Sequence, residues 1–167
     1  MLFRSGAEIY GHSGIESDLE IQHLLSASLR ACGVAQLRLD IGHVGIFRSI
    51  CRHGGIDAAL EGELQEALQA KDQTEIECLA GGLDKTTREA LLQLPAMYGD
   101  ARVIEMARRV LPSYPELGKA LDDLERLSRD THFEVSIDLA DLRGYQYHSG
   151  VVFSVYGASA PIGNDGL

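Results

Sequence analysis

Two runs of strict alternation, joined by a glycine-containing connection, constrain this chain most. Phe133, Val135 and Ile137 alternate with Glu134, Ser136 and Asp138; further on, Val151, Phe153 and Val155 alternate with Val152, Ser154 and Tyr156. That period of two is the signature of a half-buried strand. Between the runs, the stretch Leu142 to Gly150 puts a guanidinium (Arg143), two phenols (Tyr145, Tyr147) and an imidazole (His148) on one turn. A strand, a turn and a returning strand are expected here, with the polar and aromatic groups gathered at the joint.

The segments before this pair divide into a strand-like opening and a helical block. Arg4, Gly6, Glu8 and Tyr10 alternate with Ser5, Ala7 and Ile9, so a strand would put Arg4, Glu8 and Tyr10 on one face. Ser13-Gly14-Ile15-Glu16 has the spacing of a capping box, ahead of a helix expected over 16–31 with Ile21, Leu25 and Leu29 in one stripe and Leu24 beside it. Gly33 closes that helix, 36–40 reads as a short strand, and 42–45 as its exit loop. From Ile46 the punctuation is helical. Asp57, Asp72, Asp84 and Asp100 stand at cap positions; Gly54-Gly55, Gly81-Gly82, Pro95 and Pro112 stand at stops. Leu117, Leu121, Leu124 and Leu127 form the inward stripe of the last helix.

Sequential helices set between strands make an α+β domain, without the βαβ rhythm of a doubly wound sheet. The expected division is sheet and helix over 1–45, a helical insertion over 46–130, and return strands of the same sheet over 131–167, all one incomplete domain. The tail from Gly157 reads as a loop.

Charge and motif content exclude several chemistries. A net charge of −10 argues against a nucleic-acid groove. No apolar run approaches a membrane span and no signal peptide opens the chain. Cys32, Cys51 and Cys78 are scattered without a CxxC pair, which points to reduced thiols and a cytoplasmic protein. The six histidines show no metal-ligand spacing; His43 and His53 read as core-satisfied or solvent-facing. No Walker, GxGxxG or GxSxG pattern occurs. Acidic pairs such as Asp122-Asp123 and Glu61/Glu63 sit on expected helix surfaces. What remains is Arg4, Glu8 and Tyr10 on one strand and Arg143, Tyr145, Tyr147 and His148 near another. That set suits a small zwitterion: a guanidinium for a carboxylate, a carboxylate for an ammonium, and aromatics around a flat ring.

These residues also carry a family resemblance. Leu142-Arg143-Gly144, Tyr147-His148-Ser149-Gly150 and Val152-Phe153 resemble the histidine-specific signature of histidyl-tRNA synthetases. They resemble still more the same segment in the regulatory subunits of ATP phosphoribosyltransferase. Residues 6–11 with Asp18-Leu19-Glu20-Ile21, residues 39–48, and Leu94-Pro95, Tyr98-Gly99 and Ala107-Arg108-Arg109 extend the likeness over essentially the whole chain. The departures favour the regulatory branch. Where the synthetases usually read Arg-Gly-Leu-Asp-Tyr-Tyr, this chain has Tyr145 for the leucine, Gln146 for the aspartate and His148 for the second tyrosine. The family's glutamine on the opening strand falls at Arg4, and its glutamate is kept as Glu8. The motif 2 arginine loop, motif 1, motif 3 and a tRNA-binding domain are not recognisable.

The resemblance therefore implies a class II synthetase-like antiparallel sheet with an inserted helical block, spanning the interior of that domain from the motif 2 strand to just before motif 3. It implies a non-catalytic regulatory subunit with no cofactor. The expected partner is the catalytic subunit of the short-form transferase; L-histidine is a possible ligand, self-association is expected, and neither nucleic acid nor membrane is. Histidine-like ligand contacts would be Arg4, Glu8, Tyr10, Arg143, Tyr145, Tyr147 and His148. Two alternatives stand beside it: a degenerate synthetase-like enzyme activating a small amino acid, and a piece with no autonomous function.

Overall fold

Aspartate side chains cap three consecutive helices in the middle of the chain. The computed structural model describes residues 6–12, 14–34 and 36–157. Helix α1 (Ile15–Ala31) leads to strand β1 (Leu37–His43), which runs without a loop into α2 (Val44–His53). Then come α3 (Ala58–Ala70), α4 (Gln73–Leu79), α5 (Lys85–Gln93), a two-residue strand β2 (Tyr98–Gly99), α6 (Arg102–Val110) and α7 (Pro115–Asp130). Strands β3 (Glu134–Asp138) and β4 (Val151–Gly157) follow. Asp57, Asp72 and Asp84 each accept backbone N–H bonds from the first turn of α3, α4 and α5. Each such cap stabilises its helix by about 1 kcal/mol. Asp100 accepts from Arg102 N at 3.0 Å, one residue ahead of the cap position.

The strand order is β2-β3-β1-β4. β1 pairs antiparallel with β4 but parallel with β3, so the α+β class holds while the sheet is mixed rather than purely antiparallel. The expected hairpin of β3 and β4 does not form. The helices between β1 and β3 act as a long crossover, which returns the chain parallel to its start. Residues 139–150 then carry it past β1 to β1's other edge.

The pleat gives the sheet two unlike faces. Leu39 and Ile41 of β1, Val135 and Ile137 of β3, and Phe153 and Val155 of β4 share the side on which the helices pack. They join Phe47, Ile50, Leu64, Leu68, Leu91, Leu121, Leu124 and Leu127 in one apolar core. The α7 stripe is buried throughout, as its spacing predicts. Gly42 is needed where the chain crosses: a Cβ there would lie 2.8 Å from the Asp138 carbonyl oxygen and 3.1 Å from that of Asp141.

Several local expectations are corrected. Residues 6–10 form no strand; alternation marks a face, but a strand also needs a partner's hydrogen bonds, and none of the described strands pairs there. Arg4 lies outside the described residues, as do Ser13 and the tail beyond Gly157. Gly14, not Ser13, is the N-cap of α1. In α1 the fully buried side chains are Gln22 and Ser26, while Leu24 is 48% exposed and Ile21, Leu25 and Leu29 are half-buried. The helix packs chiefly against α7, so only a narrow strip of it is covered. The exit loop expected at 42–45 is absent, because His43 caps α2 directly: its Nδ1 accepts from Gly45 N at 3.0 Å. Among the described residues no helix is long and apolar enough to cross a membrane.

Candidate functional site on the open face of the sheet

The sheet face away from the helices is polar. Alternation puts Arg38 and Asp40 of β1, Ser136 and Asp138 of β3, and Ser154 and Tyr156 of β4 on that side. Ser136 donates to the Asp40 carboxylate, and Arg38 Nε lies 3.6 Å from it. Arg38 also donates to the Tyr98 hydroxyl at 3.2 Å. At the β2 edge, Lys71 reaches across from the end of α3: its ammonium is 2.8 Å from Asp138 and 4.9 Å above the centre of the Tyr98 ring. The helical insertion is thereby fastened to the sheet edge.

The turn between β3 and β4 borders this face. Arg143 donates from Nε and from its terminal nitrogen to the two oxygens of Asp141, and reaches the Tyr156 hydroxyl at 3.4 Å. Burial pushes the Asp141 carboxyl up, but the Arg143 hydrogen bonds and the charges of Arg143 and Lys71 outweigh it, so its pKa lies below the usual carboxylate range. The same pairing raises the Arg143 guanidinium still further, so the cation is permanent. Gly144 has φ +68°, a left-handed conformation that glycine adopts without cost. The turn then brings Arg143 and His148 together on a concavity of about 310 Å³ with Asp141 and Ser154.

The two phenols of the turn part company. Tyr147 is 91% exposed; Tyr145 is 3% exposed and points into the core. Its ring packs edge-on against Phe47, its hydroxyl donates to Glu61 of α3 at 2.5 Å, and the Arg48 guanidinium lies 4.7 Å above it. Arg48 also donates to the backbone carbonyls of Tyr145 and His148. Gln146 donates to Gln65 at 3.3 Å. Burial, then the Glu61 carboxylate, push the Tyr145 phenol well up, so it stays a neutral donor. The structure thus separates the aromatic pair expected around one ring.

Glu8 and Tyr10 are exposed and bonded to each other, Tyr10 donating. Among the described residues neither shares a hydrogen bond or a cavity with Arg143 or His148. Asp141, Arg48, Glu61 and Gln65 were not legible as parts of this site. Asp141 is two residues from Arg143 and could have been suspected; the other three come from helices far away in sequence.

This sheet, with the Arg143-Gly144 turn beside its polar face, agrees with what the chain is similar to. A family model described as Histidyl-tRNA synthetase matches residues 2–166. The chain belongs to the histidyl-tRNA synthetase family. Within the family, its curated relatives include the ATP phosphoribosyltransferase regulatory subunits of Nitrosospira multiformis, 50% identical over 163 residues, and of Nitrosomonas europaea, 49% identical over 170 residues. Those matches cover 93% and 96% of this chain but 42% and 44% of the relatives, so the chain spans less than half their length. Among solved structures, an ATP phosphoribosyltransferase regulatory subunit/histidyl-tRNA synthetase from Bacillus halodurans matches with a TM-score of 0.75 at 23% identity, covering 91% of this chain and 42% of that one. A chain of the ATP phosphoribosyl transferase (HisG:HisZ) complex from Thermotoga maritima matches with a TM-score of 0.63 at 19% identity, covering 87% and 52%. At those identities the solved family members speak for the fold.

Proposed function

We propose that this chain serves as, or within, a non-catalytic regulatory subunit of the short-form ATP phosphoribosyltransferase. In that role it would bind the catalytic subunit, be required for its activity and help histidine inhibit the first step of histidine biosynthesis. The observation that carries the reading is the signature turn. Where a synthetase has leucine and aspartate, this chain has Tyr145 and Gln146, and both side chains are tied to α3 through Glu61 and Gln65. The family's catalytic arginine, Arg143, is held by Asp141, and Arg38 on the same face lies beside Asp40. Paired cations are poor stabilisers of a triphosphate. Relatives at close to half identity carry the regulatory name.

In this reading Arg143 takes the carboxylate of histidine, while His148 and the exposed Tyr147 meet its ring. Arg4 joins Arg143 at the carboxylate, and Glu8 takes the ammonium, with Tyr10 beside it. Tyr145 supports the turn from beneath. Feedback requires that histidine bind the inhibited assembly better than the active one; equal affinity would shift nothing. The 1–45 and 131–167 segments supply β1, β3 and β4, while the 46–130 insertion adds the edge strand β2 and buttresses the turn. The place of action is the cytoplasm, and nucleic acid has no part in it. Exposed Ile9, Leu24, Met106 and Val110 favour self-association as well.

The test is size-exclusion chromatography with light scattering on this chain mixed with the cognate catalytic subunit, with and without histidine. A defined hetero-oligomer whose stability depends on histidine is expected. Separate peaks with this chain and also with a full-length subunit would overturn the reading. Retention of Arg143 favours one second reading, a degenerate synthetase-like enzyme. Histidine-dependent exchange of pyrophosphate into ATP is expected to be absent, and its presence would establish that alternative.

A further inference from the structure

We propose that the crevice between α1, α2 and α7, on the helix-covered side of the sheet, is a second ligand site that takes a free α-amino acid as its zwitterion. The crevice has a volume of about 430 Å³, and Asp18, His43, Arg48, Ser49, Lys119 and Asp123 line it. Ligand pockets begin at about 300 Å³. It is separate from the concavity of Arg143 and His148, and the inference does not depend on the regulatory reading.

The lining carries both signs of charge, and much of it is unspent. At the rim Arg52 and Glu116 form an ion pair and neutralise each other. Asp18 and Lys119 have no ion-pair partner among the described residues. Among the described residues the one ion-pair contact of Asp123 is with the imidazole of His43, whose Nε2 is 3.8 Å from its carboxylate. Burial pushes His43 below its ordinary pKa, against the pull of Asp123 and with Lys119 and Arg48 helping, so the ring does not cancel that charge near neutral pH. Its Nδ1 is occupied as the acceptor of Gly45 N–H, which leaves the hydrogen on Nε2. Burial and the nearby Asp123 also push the Asp18 carboxyl up. Two carboxylates thus repel each other in the crevice, and neither has a lysine or arginine partner among the described residues.

Lys119 stands one helical turn before Asp123 on α7, and α2 supplies the Arg48 guanidinium together with the Ser49 hydroxyl. Arg48 donates to the Tyr145 and His148 carbonyls but pairs with no carboxylate among the described residues. Ser49 is 4% exposed, and its hydroxyl has no hydrogen-bond partner among the described residues. An unpaired buried hydroxyl is unfavourable, so the lining gains if it shifts to offer that hydroxyl to a bound acceptor. An inorganic anion would answer Lys119 and Arg48 but meet two carboxylates. A polyamine would answer Asp18 and Asp123 but meet two cations. A compact zwitterion answers both: its ammonium lies between Asp18 and Asp123, and its carboxylate faces Lys119 and Arg48. Ile15, Ala120 and Val151 leave an apolar wall for a side chain.

Saturation-transfer NMR tests this on the whole chain carrying Arg143→Ala, which disables the open-face concavity. Each free protein amino acid is screened singly as the probe. At least one is expected to give a saturable signal, which the added pair Asp18→Asn and Asp123→Asn weakens by about tenfold or more, as loss of charge-assisted bonds should. Removing like charges should leave folding intact, as a thermal melt would verify. Should the altered chain fail to fold, Lys119→Met in the otherwise unaltered chain, at an exposed position, is expected to weaken the same signal. No signal from any amino acid, or a signal indifferent to these substitutions, would overturn the site. A signal seen in the unaltered chain and lost with Arg143→Ala would also overturn it, while leaving the proposed function standing.

Discussion

The two faces of the β3-β1-β4 sheet are built from neighbouring positions on the same strands, yet they do opposite things. Leu39, Ile41 and Ile137 are wholly buried under the helices. One residue away, Arg38, Asp40, Ser154 and Tyr156 carry the polar surface that Arg143 borders. Burying apolar area is worth about 25 cal/mol per Å² and is nearly indifferent to direction, so the covered face supplies stability. The open face supplies little of it and keeps charges where a ligand can reach them. The contrast recurs inside the turn: Tyr145 belongs to the covered side and Tyr147 to the open one.

Substitutions can break or sharpen this contrast. Ile41→Ala should cost about 2–5 kcal/mol in a urea titration, as deletions in tight cores do. Ser154→Ala on the facing side of β4 should stay within about 0.5 kcal/mol. Equal costs would mean that the two faces do not divide the labour. Gly144→Ala should cost about 1–2 kcal/mol for the left-handed backbone, and should displace His148, whose Cδ2 would lie 2.5 Å from the new carbon. Weaker histidine binding alongside the lost stability would connect the turn geometry to the ligand.

Tyr145→Phe keeps the ring and removes the bond to Glu61; a loss of about 1–2 kcal/mol is expected in the same titration. Tyr147→Phe should change stability by less than about 0.5 kcal/mol and show only in ligand binding. A pH series sharpens the position of Asp141. Its folded pKa is depressed, so its contribution is fully present above the unfolded value of about 3.9 and is lost as pH falls through the folded value. Asp141→Asn should therefore flatten the decline of stability over that acidic window; an unchanged decline would remove Asp141 from the account. Gln22 is the exception on the covered side, a buried amide with no partner among the described residues. Gln22→Leu should leave stability unchanged or raise it by up to about 1 kcal/mol, since no made bond is lost. A clear loss would mean that the amide has a partner.

The sequence by itself determined what is local. The aspartate caps, the glycine and proline stops and the α7 leucine stripe are effects within one or two turns of helix, and the structure has them where the spacing puts them, save that Asp100 stands one residue ahead of its cap. The signature around Arg143-Gly144 was legible for the same reason, being a run of adjacent residues, and it pointed to the family. Only the tertiary structure decided which strands are neighbours, because periodicity marks the faces of a strand but not its partner. It alone put β1 between β3 and β4, denied residues 6–10 a strand, and buried Gln22 where a leucine stripe was expected. It also decided the fate of single side chains. Tyr145 turned inward because Glu61 and Arg48, 84 and 97 residues away, wait beneath it. His43, which spacing placed among ordinary core or surface histidines, faces Asp123 because β1 runs straight into α2 and α7 folds back against it. Contacts of that range depend on the packing of whole elements, which no local pattern encodes.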